Sequence, residues 1–308
     1  MPPSKPNLKN MIGGRSWDRI RDSWLSHIPE FAHPGARPDP GLENLASLQQ
    51  ITLPESRGQF SDAPGLRTNL LSEAVFLFHK CAHTHLAAQR LGTQGMHSWS
   101  MFNAYHSAYL GARGIMALLG IGLPYLAQGG QLLIDVHPEP SSKKDKRRLI
   151  VGSWVFDQFL LIRLGGGLDQ SGLWSAFQRT LNVSTVSCWK GRAYDELLDL
   201  PDEITRPRNA FLYKAAFWPG EDLLADGSEE DFANLAGTDL STGERGFLLR
   251  LSYDVYWLFD QLINDLADAS GPIRAQINGS RILNNPNVPE LACYNTFIAG
   301  FGASSAAQ

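Results

Sequence analysis

The chain has 308 residues, 43% of them apolar and 19% charged, with Lys plus Arg at 27 against Asp plus Glu at 31. That length and composition describe a globular protein with a substantial core and exclude a disordered or fibrous chain. The formal net charge of −4 excludes a global positive field of the kind that dominates non-specific nucleic-acid binding, so any such contact has to be local.

Residues 1–65 hold nine of the 18 prolines and one short predicted helix, over 17–28, and read as a proline-rich arm. Trp17, Trp24 and Phe31 give this arm apolar side chains to bury, and docking on its own core is the favoured use of them over contact with a partner. Its first ten residues are polar and lack an apolar h-region. No stretch of the chain reaches the roughly 18 apolar residues of a membrane span. Cys81, Cys188 and Cys293 are odd in number and far apart, without metal spacing, which points to a reducing compartment. A cytoplasmic protein with no membrane partner is expected, and the N-x-S triplets at Asn182 and Asn278 are then chance matches.

The spacing of Leu71, Ala74, Val75, Phe78, Cys81 and Ala82 predicts an amphipathic helix over 70–90. After a turn at Gly92 to Gly95, Ser98 is placed to cap a second helix. Met101, Tyr105, Ala108, Ala112, Ile115, Met116 and Leu119 fall on one of its faces, and Gly120 ends it. Ala104, Ala108 and Ala112 form a small-residue stripe that suits a close antiparallel hairpin with the preceding helix.

Short Ile-, Leu- and Val-rich runs at 131–137 and 147–151 predict an inserted β-hairpin, near 131–151, with the basic run Lys143, Lys144, Lys146, Arg147 and Arg148 at its tip. Shorter helices are expected over 153–164, 172–181 and 194–200. Another is expected over 208–217, led by Pro207 as a tolerated first helical residue and stopped by Pro219. A capping box, Ser241-Thr242-Gly243-Glu244, then opens a long helix whose face carries Leu248, Leu251, Val255, Leu258, Phe259, Leu262 and Leu266, halted by Gly271-Pro272. Residues 269–308 read as a C-terminal extension with a frayed end.

Two long helices, the second carrying Tyr105-His106-Ser107-Ala108-Tyr109-Leu110-Gly111-Ala112-Arg113-Gly114-Ile115, resemble the early helices of HEPN domains. The later Arg208-Asn209-Ala210-Phe211-Leu212-Tyr213 resembles the family's motif, an arginine and a polar residue followed by histidine, with Tyr213 where the histidine belongs. The resemblance covers residues 66–268 and implies a mainly α, HEPN-like antiparallel helical bundle. It further implies a metal-independent endoribonuclease or RNA-binding effector of prokaryotic toxin or antiviral type, working as a homodimer and answering to a protein partner or antitoxin.

The chemistry behind that motif is definite. Arginine fixes a phosphate through its forked donors, and histidine, with an ordinary pKa of about 6.5, moves protons near neutrality. Tyrosine, with an ordinary pKa of about 10, is a poor base there. Arg208 is therefore the expected phosphate anchor and Asn209 the orienting group, with Tyr213 in the histidine's place. No histidine follows His137, so a replacement has to come from elsewhere: His106 is the candidate catalytic residue, with His97 beside it. Arg21 to His27 and Arg90 to His97 also match the arginine-to-histidine spacing, but the first lies in the arm and the second spans a glycine turn. Tyr213 favours a second expectation, a catalytically silent scaffold or partner-binding subunit. The basic run and Arg206, with Lys214 nearby, are the expected RNA contacts if they share one side.

His79 and His83 stand one helical turn apart, a legitimate geometry for two metal ligands, with Glu73, Cys81 and His85 near in sequence. At 100° per residue, however, Cys81 and His85 point with the apolar face while His79 and His83 lie on its flank, so the four cannot converge. Neither a metal site nor a cofactor is expected. Gly165 to Gly167 lacks the Lys and Ser/Thr of a phosphate loop, and no GxSxG or HExxH pattern occurs.

Overall fold

A computed structural model describes residues 11–27, 57–61, 65–125, 131–138, 144, 147, 158–164, 168–189, 193–198, 244–271 and 274. The described part is mainly helical with a small sheet. Its elements in chain order are β1 (Arg15–Ser16), α1 (Trp17–His27), β2 (Arg57–Ser61), α2 (Leu66–Thr93), α3 (His97–Leu118), β3 (Ile121–Gly122), β4 (Gln131–Asp135), β5 (Gln158–Leu164), α4 (Gln170–Asn182), β6 (Ser184–Thr185), α5 (Ala193–Leu198) and α6 (Glu244–Asp268).

The predicted α2–α3 hairpin forms, and small residues bring its helices together. A Cβ on Gly111 would come within 2.5 Å of Val255 and 2.9 Å of the Cys81 sulfur, and one on Gly114 would fall on the Phe259 ring. Ala104, Ala108 and Ala112 are fully buried along the same seam. Ser100 donates to the Ala88 carbonyl and Ser107 to that of Cys81, which fixes the antiparallel pairing. Helix α6 lies across both, with Phe78 stacked on Tyr256 and edge-on to Phe259. The expected Ser98 cap does not occur: the Gly95 turn, φ +77°, delivers the chain so that His97 is already helical, and Met96 is the cap without a side-chain bond. Gly120 ends α3 as expected, at φ +86°.

The four-stranded sheet is antiparallel throughout, in the order β2-β5-β4-β3, and β1 pairs with β6 in parallel. Strand β4 falls where the first arm of the hairpin was expected, but its partner is β5, where a helix over 153–164 was expected. Phe159, Leu160, Leu161, Ile162 and Leu164 are all buried, and a central strand apolar on both faces carries no period-2 signal to separate it from a buried helix. At the predicted hairpin tip, Lys144 and Arg147 are helical and exposed rather than part of a β-turn.

The N-terminal segment packs into this body. Trp17, Ile20 and Trp24 are buried, and the two indoles donate to Asp265 and to the Leu118 carbonyl. Strand β2, from the stretch read as irregular arm, adds an edge to the sheet. Arg15 is held at three points: its backbone N–H donates to Val183, and its guanidinium to the Leu119 carbonyl at 2.8 Å and the Asp135 carboxylate at 2.9 Å. Arg67 donates to the Val136 carbonyl close by, and His137 meets Trp24 edge-on. The predicted helix over 208–217, the capping residues Ser241 to Gly243, Phe31 and most of the C-terminal extension lie outside the described residues.

Candidate nucleic-acid interface

One side of α3 is only partly used by the core: Tyr109 and Leu110 pack against it from the edge, and Trp99 stays exposed. At about 100° per residue, Trp99, Phe102, Asn103, His106, Tyr109, Leu110 and Arg113 share an arc roughly 120° wide. Each is exposed or half-exposed, while the residues between them are buried. Trp99 is 61% exposed, and Met96, just before the helix, 51%. Rings run along the arc: Trp99 meets Phe102 edge-on at 6.0 Å, and Phe102 lies 4.2 Å from His106.

The face is firmly backed. Tyr105 stacks at 6.4 Å on Tyr109, donates its hydroxyl to Gln170, and accepts from the Trp174 indole, which ties α3 to the first turn of α4. That turn is set by Asp169, whose carboxylate accepts from the Gly172 N–H at 2.7 Å. His106 Nδ1 lies 3.3 Å from the Phe102 carbonyl. Donation from Nδ1 to that oxygen leaves Nε2 as the ring's basic nitrogen.

Charge on the hairpin runs against that of the chain. No Asp or Glu occurs between Glu73 and Asp135, and outside the buried Arg67 the cations Lys80, Arg90 and Arg113 stand on α2 and α3 against Glu73 alone. Glu73 is neutralised by Arg113 at 2.9 Å. Lys80, exposed on α2, holds its ammonium 4.7 Å above the Phe76 ring. A shallow pocket by the Glu73–Arg113 pair has room on the order of one water molecule, which is far below a small-molecule site.

Of the expected site residues, His106 lies on this arc. Lys144 and Arg147 are exposed. Arg206, Arg208, Asn209, Tyr213, Lys214, Lys143, Lys146 and Arg148 lie outside the described residues, as does the side chain of His97. Arg21, in the first arginine-to-histidine match, is engaged by Asp265 at 2.8 Å.

Two of the three α2 histidines, His79 and His85, are buried in the core. His79 is buried and His83 exposed, so the pair one turn apart diverges. His85 bonds through Nδ1 to Ser252 at 2.8 Å and through Nε2 to Gln89 at 3.0 Å, in a site with 1% exposure. With the Gln89 amide as donor, Nδ1 carries the hydrogen and gives it to Ser252, the reverse of a base activating a nucleophile. Burial pushes both His79 and His85 down to about 4, keeping them neutral near pH 7. Cys81 and Cys188 are pushed up to about 12, chiefly by burial, and are poor nucleophiles. Among the described residues no group of three or more His, Cys, Asp or Glu is arranged to hold a metal ion, and no helix is long and apolar enough to cross a membrane.

Sequence reasoning missed Trp99, Phe102 and Tyr109. Their signal is a second aromatic periodicity, i, i+3, i+10, on the side of α3 away from the alanine stripe. Compared with family models, with characterised proteins and with solved structures, the chain gives no match.

Proposed function

We propose that this protein is an RNA-binding effector of HEPN-like type, with the α2–α3 hairpin as its RNA surface. The observation that carries the reading is the coincidence, on one hairpin of an otherwise acidic chain, of a surface almost free of carboxylates and an open arc of aromatic side chains containing His106. Polyanions are repelled by carboxylates and held by cations and ring faces, and this hairpin has the second set with the first removed. On this reading Arg208 anchors a phosphate, Asn209 orients it, His106 supplies the proton transfer that Tyr213 is ill-suited to perform, and a second copy of the chain completes the cleft. The place in prokaryotic defence, as a toxin or antiviral component in the cytoplasm, rests on the resemblance of α2, α3 and the Arg208 motif to that family.

The test is a mixed RNA pool incubated with the purified full chain, with and without EDTA, beside Arg208→Ala and His106→Ala. Metal-independent cleavage abolished in both variants is the expected result. No cleavage in any sample is the result of the second reading, a catalytically silent scaffold or partner-binding subunit, which Tyr213 favours.

A further inference from the structure

Resting on that RNA reading and deepening it, we infer that the open arc of α3 is a stacking platform for the unpaired bases of a single strand. Trp99 presents a largely exposed indole whose edge-on contact with Phe102 limits its swing, and Phe102 is packed in turn against His106. Trp99 and Phe102 stand three residues apart, a rise of about 4.5 Å along the helix, a little more than one base at the stacked rise of about 3.4 Å. Ring faces stack on any base but reach none inside a duplex, whose bases are already stacked on one another.

The occupant is chosen by charge. An apolar partner surface would be served by the aromatic arc alone. The absence of carboxylates from Ala74 to Ile134, the neutralised Glu73 and the exposed Lys80 and Arg90 of the neighbouring helix suit a polyanion that carries its own flat apolar groups. Single-stranded RNA is that chemistry. The underside of the helix, locked through Tyr105 to Gln170 and Trp174, keeps the platform rigid, so little ordering is required when a strand binds.

The experiment is fluorescence anisotropy of labelled twelve-residue oligouridylate, its deoxy counterpart and a blunt RNA duplex, titrated with the full chain and with Trp99→Ala, Trp99→Phe and Phe102→Ala. Thermal melts and light scattering are run on every variant. The platform predicts that Trp99→Ala weakens single-strand binding by about tenfold or more, that Trp99→Phe restores most of it, and that duplex binding is weak and unchanged. Equal loss for ribose and deoxyribose strands assigns the contact to base stacking, whereas loss for RNA alone assigns it to RNA stacking with recognition of the 2′-hydroxyl; both support the platform. Single strands bound by Trp99→Ala as by wild type overturn the platform and leave the RNA reading standing. No nucleic acid bound by wild type overturns the RNA reading itself. A change in oligomeric state on Trp99→Ala, with strand binding intact, reassigns the face to a second copy of the chain and overturns the platform.

Discussion

The junction around Arg15 and the outer arc of α3 both gather polar and aromatic side chains, but they do so in opposite ways. At the junction everything is enclosed: Arg15 lies between Asp135 and the Leu119 carbonyl, Arg67 bonds Val136, and Trp24 donates to Leu118. On α3 the rings contact one another, Phe102 and His106 stay half-exposed, and Trp99 stands largely exposed. Buried polar groups that meet fixed partners set how elements dock, whereas an aromatic row left open on a rigid helix is surface held ready for something else. Each region should therefore respond to mutation through a different readout.

The largest expected effect is at the junction. Arg15→Ala leaves the Asp135 carboxylate buried without its guanidinium and should destabilise the fold by about 3–5 kcal/mol, read as a loss of several degrees in Tm. The double variant Arg15→Met with Asp135→Leu should recover part of that loss, because it removes the unpaired charge but leaves the buried His137 N–H without its Asp135 acceptor. A single variant with wild-type stability would mean the pair is not what docks the N-terminal segment.

Next in size, residue for residue, is the pH response of the core. The ordinary imidazole pKa is about 6.5, and burial lowers His79 and His85 to about 4 in the folded state. The unfolded chain thus binds more protons between those values, and stability is fully present above pH 6.5 and lost as pH falls toward 4. Each histidine contributes on the order of 3 kcal/mol over that window. Asp260 has the opposite sign: burial raises it to about 6, so the folded state favours its protonated form and stability is lost as pH rises through 6. Asp260→Asn should accordingly raise Tm at pH 8 and have little effect at pH 4. Denaturant midpoints across pH 4–8 check both signs, and a flat profile would contradict them.

The smallest effect sharpens the comparison most. Trp99→Ala should change stability by no more than about 0.5 kcal/mol, as expected of a surface side chain. A Tm drop of many degrees would place Trp99 with the junction rather than with the open face.

The elements most legible in the sequence are those whose apolar residues face one side. Leu71, Phe78 and Cys81 announce α2, and Val255, Leu262 and Leu266 announce α6, because a helix on the edge of a core shows its period. The Ala104, Ala108 and Ala112 stripe likewise anticipates a close hairpin. Strand β5 was hidden because burial on both faces erases alternation, and β2 because Arg57-Gly58-Gln59-Phe60-Ser61 has almost nothing apolar to alternate. The α3 arc was obscured by its neighbours. Tyr105 belongs to the core face and Tyr109 to the open one, and residue type alone does not separate an aromatic that packs from one that stays exposed.

The central claim, that the α2–α3 hairpin is the RNA surface, is tested most directly by ultraviolet cross-linking of the full chain to single-stranded RNA, followed by mapping of the tryptic peptides. Cleavage after Arg90 and Arg113 releases residues 91–113, which carry Trp99, Phe102, His106 and Tyr109 together. The account predicts that this peptide holds the dominant cross-link and loses it in Trp99→Ala. Cross-links confined to other peptides, with this one unmodified, would contradict it.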